Sequence, residues 1–216
     1  MKIFLDTADI SILKNAYNSG LIDGVTTNPS LILQSGQQPH DVYQQLQGLG
    51  IKDISAEVVG ESAEEFLLMA EEYINIGPEI TIKVPCTEEG LKACKALSDK
   101  GVRVNVTLIF SLAQAILSAK AGATYVSPFV GRCIDNKIDG IELIASISEA
   151  YIIHDISTQI LAASIRDVDM AVNSLLNGAD IITIPPIVFN EMFKHHLTDE
   201  GLEIFNRDWN KVQHKV

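Results

Sequence analysis

Cysteine is scarce in this chain of 216 residues, which holds only Cys86, Cys94 and Cys133. Their number is odd and their spacings match no zinc or redox pattern. A chain of this length needs no disulfide framework either, so we read them as free thiols in a reducing cytosol. Basic residues are also few: 16 Lys and Arg stand against 28 Asp and Glu, a net charge of −12. Such a surface repels nucleic acid and anionic membrane, and neither is expected as a partner. A small anion can still bind locally, because the distant surface field is screened. Long apolar runs are missing. The longest nearly apolar stretch, IITIPPIVF from Ile181 to Phe189, contains two prolines and is too short to span a bilayer. The apolar run before Asp6 is too short for an export-signal core, so a cytoplasmic location is expected. No Ser/Gly-rich linker and no long charge block divides the sequence. His195 and His196 are adjacent, do not share a helix face and have no acidic partner at ligand spacing. His40, His154 and His214 are isolated, and no metal or other cofactor is expected.

What is present is ordinary globular composition, 47% hydrophobic and 20% charged, in one domain covering 1–216. Short β-rich runs alternate with longer segments of helical period. The strand candidates are Ile3 to Asp6, Gly24 to Asn28, Asp53 to Val59, Ile80 to Pro85, Val102 to Ile109, Thr124 to Val130, Gln159 to Ser164 and Asp180 to Pro185. Their starts are about 25 residues apart, room for a strand, a helix and two loops. Between them, Ala63 to Ile74 carries a broad apolar stripe. Thr87, Ser111 and Asp167 are placed as helix caps, with Gly101, Gly122 and Gly178 as stops. Eight such units favour a closed (β/α)8 TIM barrel of the α/β class. An open doubly wound sheet lacks support, since no G-x-G-x-x-G and no P-loop follows any strand. A last helical stripe, Leu202, Phe205, Trp209 and Val212, predicts an additional C-terminal helix over 198–213. On spacing alone, the stripe is one that covers its own barrel.

Buried parallel strands should be almost continuously Val, Ile and Leu. These are not. Asp6, Thr26, Asn28, Glu57, Lys83, Asn105, Thr107, Ser127 and Ser164 stand near strand C-terminal ends. Alternation puts Thr26 with Asn28, Asn105 with Thr107, and Ser127 with Phe129 on shared faces. All would converge on one cup at the C-terminal mouth of a barrel, where barrel enzymes keep their chemistry. Ser, Thr and Asn at strand ends also serve as helix caps, and Asp6 before Thr7 and Ala8 reads equally as an N-cap. Lys83 is harder to dismiss, flanked by Ile82 and Val84 in ITIKVP. A fully buried lysine is rare unless paired. It is either half of a Lys–Glu pair across the barrel or a nucleophile, since apolar surroundings favour a free amine that condenses with a carbonyl. Asp6 and Glu57 would supply acid/base groups, and Asn28, Asn105, Thr107 and Ser127 would orient a polyol. Arg132 and Arg166, with Ser164, follow the sixth and seventh strands and suit a phosphate.

The motifs LDTAD, GVTTNPS, IKVPCTEEGLKA, NVTLIFSLAQA, YVSPFVGR and LAASIR occur in that order and span most of the chain. In them the sequence resembles the small transaldolases, short-chain relatives of the pentose-phosphate enzyme grouped with the fructose-6-phosphate aldolases. The resemblance implies a (β/α)8 barrel and cofactor-free class I chemistry on sugar phosphates. It implies a Schiff-base lysine at Lys83 and an acid/base for carbon–carbon cleavage at Asp6. Glu57 and Thr107, with a water, would shuttle protons during imine formation. Asn28 and Asn105 would hold the dihydroxyacetone part, with Ser127 in the same lining, and Arg132, Ser164 and Arg166 the phosphate. Glu57 and Phe129 follow the transferase pattern; the aldolase branch tends to have Gln and Tyr there. The segment CIDNKIDGIE after Arg132 departs from the family's usual acidic-glycine stretch. The resemblance also implies a homo-oligomer, pentamer or decamer, in which the helix over 198–213 packs on a neighbouring subunit. The readings ahead of the structure are therefore a transaldolase, a fructose-6-phosphate aldolase releasing free dihydroxyacetone, or a sugar-phosphate-binding barrel without turnover.

Overall fold

A computed structural model describes residues 1–213; His214 lies outside the described residues. The chain runs β1 (Lys2–Asp6), α1 (Ile10–Tyr17), β2 (Gly24–Thr26), α2 (Pro29–Ser35), α3 (Pro39–Gly48), β3 (Ile54–Glu57) and α4 (Ala63–Ile74). It continues with β4 (Ile80–Pro85), α5 (Glu88–Ser98), β5 (Val104–Ile109), α6 (Leu112–Lys120), β6 (Tyr125–Pro128), α7 (Val130–Asp135) and α8 (Gly140–Ile153). The last elements are β7 (Gln159–Ala162), α9 (Val168–Leu176), β8 (Ile181–Ile184), α10 (Pro186–Glu191) and α11 (His196–Gln213). All pairings are parallel, and β8 returns to β1 to close an eight-stranded barrel. The expected (β/α)8 architecture is the one observed.

Strand alternation divides the interior in two. Outward residues such as Leu5, Val25, Ile82, Val106 and Ile182 join the helices in the main apolar core. Inward residues Phe4, Tyr125, Leu161 and Ile181 make a second, smaller cluster inside the barrel. Gly24 leaves room for it: a Cβ there would lie 2.7 Å from the Phe4 ring. Below that plug, at the N-terminal end of the strands, Asp53 accepts from Thr81 Oγ1 at 2.8 Å, Arg103 Nη1 at 2.7 Å and Tyr125 Oη at 2.6 Å. These side chains fill the barrel axis at this end, and the cup lined by Lys83 lies at the other.

Thr87, Ser111 and Asp167 cap α5, α6 and α9 as expected, each side chain accepting a backbone N–H in the first turn. Gly101, Gly122 and Gly178 end these helices at positive φ. Most strands are shorter than expected at one or both ends. β2 stops at Thr26 because Asn28 is already the N-cap of α2. α11 starts two residues before the predicted 198. None of its residues is buried, and Leu202, Phe205, Trp209 and Val212 face outward, so the stripe does not cover its own barrel. Among the described residues no helix is long and apolar enough to cross a membrane.

Candidate active site

Register places the titratable groups. Glu57 on β3 pairs with Lys83 on β4, which pairs with Asn105 on β5. Adjacent residues in a parallel sheet point the same way, so the three side chains enter the barrel at one level. Lys83 is only 4% exposed. Its Nζ lies 2.9 Å from Glu57 Oε2 and donates to the Thr27 carbonyl at 2.9 Å. The ion pair considered from the sequence alone is therefore present. It differs from the expected setting in one respect: the amine is held between oxygen atoms, not in an apolar wall.

Asp6 ends β1 and aims into the same cup. It is not a cap; Asp9 caps α1, accepting from the Ser11 and Ile12 backbones. Asp6 Oδ1 accepts from Thr26 Oγ1 at 2.7 Å. Burial pushes its carboxyl above the usual range, partly opposed by the Lys83 charge and the Thr26 hydrogen bond. Asn28 combines both roles foreseen for it. Its Oδ1 caps α2 through the Leu31 N–H at 3.0 Å, which leaves Nδ2 as a donor at the cup.

The cup has a volume of about 100 Å³, and its walls are Asp6, Thr26, Asn28, Lys83, Ser127, Phe129, Arg132, Ala163, Ser164 and Thr183. Asn105 sits fully buried behind this lining. It accepts from Ser127 Oγ at 2.7 Å and donates to Ser55 Oγ at 3.2 Å. Asn105 therefore sets the Ser127 hydroxyl and does not itself line the cup. Thr107 is 1% exposed, and its Oγ1 has no hydrogen-bond partner. It stands at a register shift in β5 between Val106 and Ile109, followed by Leu108 at φ 61°. Such bulges re-aim side chains beside active sites. A buried hydroxyl without a partner is costly unless a water or ligand meets it.

Of the three residues expected at a phosphate, Arg132 and Ser164 line the cup, and Arg166 stands beside them: a Cβ on Gly131 would lie 2.9 Å from its Nε and 3.1 Å from Ser164 Oγ. Arg132 lies in the short helix α7, and its guanidinium covers the Phe129 ring 4.8 Å from the centroid. Ser164 follows β7 in the left-handed region at φ 58°. Gly131 lets α7 approach it; a Cβ would meet the Ser164 carbonyl at 2.2 Å. Arg166 does not line the cup. It makes a two-pronged pair with Asp135, both groups about half exposed. Asp135 raises the Arg166 guanidinium further above its ordinary range.

Two contributors went unpredicted. Thr183 on β8 is buried, lines the cup and meets Thr26 Oγ1 at 2.6 Å. The Thr27 backbone carbonyl holds Lys83. Thr183 carries the same signal as Lys83, a polar residue inside an isoleucine run, IITI. A backbone carbonyl carries none. Among the described residues no group of three or more His, Cys, Asp or Glu is placed to hold a metal ion.

Fold and site together define a (β/α)8-barrel protein with its charged groups gathered inside the C-terminal mouth. Residues 3–216 match the model of the family described as Transaldolase/Fructose-6-phosphate aldolase, and the chain belongs to that family. A protein of Paracoccus denitrificans named "Probable transaldolase" is 51% identical over 216 residues, all of both chains. One of Geobacillus thermodenitrificans with the same name is 47% identical over 213 residues, 99% of this chain and 100% of that one. The solved structure of inosine 5′ monophosphate dehydrogenase from Legionella pneumophila matches with a TM-score of 0.63 at 16% identity. It covers 87% of this chain and 58% of that one, and the likeness is one of fold.

Proposed function

We propose that this chain is a transaldolase moving a dihydroxyacetone unit between sugar phosphates through an imine on Lys83. The observation that carries this reading is the buried Lys83 amine with a carboxylate at 2.9 Å, in a cup that also holds Asp6. Glu57 takes a proton from the ammonium, and the neutral amine adds to the ketone carbon of fructose 6-phosphate or sedoheptulose 7-phosphate. The carbinolamine oxygen leaves as water. The unpartnered Thr107 hydroxyl and Glu57 suit a water that relays protons in this step. The Asp6 carboxylate then takes the proton of the hydroxyl beyond the bond to be cleaved. That oxygen becomes the carbonyl of the departing aldose phosphate. The carbon–carbon bond pair moves toward the iminium, and a three-carbon enamine stays on Lys83. Glyceraldehyde 3-phosphate or erythrose 4-phosphate then accepts the unit, and the steps reverse. Asn28 supplies a donor for the dihydroxyacetone hydroxyls and Ser127, whose proton goes to Asn105, supplies an acceptor, and Arg132 with Ser164 supplies donors for the phosphate.

Transfer over plain cleavage is favoured by Phe129, which lines the cup without a hydroxyl that could protonate the enamine. The test is acceptor dependence. With fructose 6-phosphate alone, a transaldolase stops after one turnover of aldose phosphate; an added aldose phosphate acceptor restores steady turnover. Steady release of free dihydroxyacetone without acceptor would make the chain an aldolase. We also read the exposed stripe of α11 as packing on a second copy in a homo-oligomer. The mass of a single chain in solution would contradict that, and pentamer and decamer are separated by the same measurement.

A further inference from the structure

The Thr26 hydroxyl has one proton and two close oxygen neighbours: Asp6 Oδ1 at 2.7 Å and Thr183 Oγ1 at 2.6 Å. Both threonines are almost fully buried, 2% and 3% exposed. An ionised carboxylate only accepts. Thr26 must therefore donate to Asp6, and the short contact to Thr183 then requires Thr183 to donate to Thr26. Three strands that meet around β1 thus carry a single directed chain, from β8 through β2 to β1.

We propose that Thr183 is a positioning residue for Asp6, fixing through Thr26 the direction of a hydrogen-bond chain that commits Asp6 Oδ1 as acceptor and leaves Oδ2 to exchange a proton with substrate. This rests on the transaldolase reading, in which Asp6 must be ionised to take the substrate's hydroxyl proton. A hydrogen bond that is itself fed by a second donor is polarised and strengthened. Thr183 therefore stabilises the charged form of a carboxylate that burial otherwise pushes toward neutrality. The other groups facing Asp6 do not duplicate this. Lys83 on β4, already paired to Glu57, attracts it through space. Arg132 on α7 shares the cup. Asp9 on the following turn is occupied in capping α1. From α10, Pro186 and Ile187 border the groove beside Asp6 and carry no charge. β8 contributes only the threonine hydroxyl.

The experiment compares the pH dependence of kcat/KM for the wild type, Thr183→Val and Thr183→Ser. The acidic limb reports a base that must lose its proton, so a carboxylate made less acidic moves that limb to higher pH. The Val variant keeps the shape and loses the hydroxyl. We expect its acidic limb to move up by roughly 0.1–0.7 unit, the size given by removing a cooperative strengthening of about 10–30% from a charged hydrogen bond. We also expect kcat to fall more than KM rises, and the Ser variant to restore both. Thr183→Ala repeats the hydroxyl deletion should the Val variant fold poorly. A limb unmoved in Val and Ala, or a Ser variant as impaired as Val, overturns the proposal. Borohydride trapping on the same proteins separates the two layers. An adduct with an unmoved limb refutes the role of Thr183 alone. No adduct in the wild type refutes the functional reading and this role with it.

Discussion

Replacing Lys83 by Met tests whether the buried pair is held at a cost that only chemistry explains. Lys83 is 5% and Glu57 15% exposed by side chain, with 2.9 Å between the charges. Removing one member of a buried pair costs about 3–5 kcal/mol, because the other is left charged and poorly solvated. Glu57 retains some contact with water, which places the loss at the lower end, about 3 kcal/mol. For a domain of this size each kcal/mol moves the melting temperature by about 2–4 °C, so Lys83→Met should melt about 6–12 °C lower. Adding Glu57→Gln removes the stranded charge. The double variant should regain most of the loss, about 2–3 kcal/mol relative to Lys83→Met. Urea unfolding at neutral pH is the assay, with m compared across variants so that midpoint shifts report stability. Lys83→Met and the double variant should lack transfer activity. A Lys83→Met protein within about 0.5 kcal/mol of wild type, the range of ordinary surface changes, would refute the reasoning.

Asp6→Asn should abolish cleavage yet raise the melting temperature at pH 7. Burial holds the folded carboxyl above its ordinary value of 3.8, so its ionisation opposes folding as pH rises through the folded value. The gain should therefore vanish below pH 3.8, where Asp6 is protonated in both states; an equal gain at every pH would contradict this. Arg132→Ala should raise KM for a phosphorylated donor by about 10–100-fold, the loss of a charge-assisted contact, and Arg166→Ala by clearly less, because Asp135 already engages Arg166. Initial rates over a donor series decide it, and equal effects would place Arg166 in the phosphate site. Phe129→Tyr should increase free dihydroxyacetone release in the absence of acceptor, measured by enzymatic assay; an unchanged release would count against the enamine being protected by a ring without a hydroxyl.

The barrel was legible because two periods alternate along the chain and the capping residues stand where helices must begin. Ala63 to Ile74 and Ile80 to Pro85 have the predicted bounds, since apolar pattern and turn chemistry agree there. Strand ends such as Asn28 and Val59 were over-extended, because β propensity continues past the residue at which the backbone leaves the ladder. The cup is visible through polar residues in oily strands, a signal carried by Lys83 and Glu57 and equally by Thr183 in IITI. Partner choice was not legible. Nothing in the order of residues tells that Arg166 turns to Asp135, that Asn105 stands behind Ser127, or that a backbone carbonyl of Thr27 receives the lysine. Those depend on rotamers selected by packing across separate strands.

The central claim is a covalent bond between one amine and a sugar. The most direct measurement is reduction with borohydride in the presence of fructose 6-phosphate, followed by proteolysis and mass spectrometry of the lysine-containing peptides. The account predicts a reduced three-carbon adduct on the peptide carrying Lys83 and on no other lysine. Adduct elsewhere, or full catalytic turnover with every peptide unmodified, would contradict it.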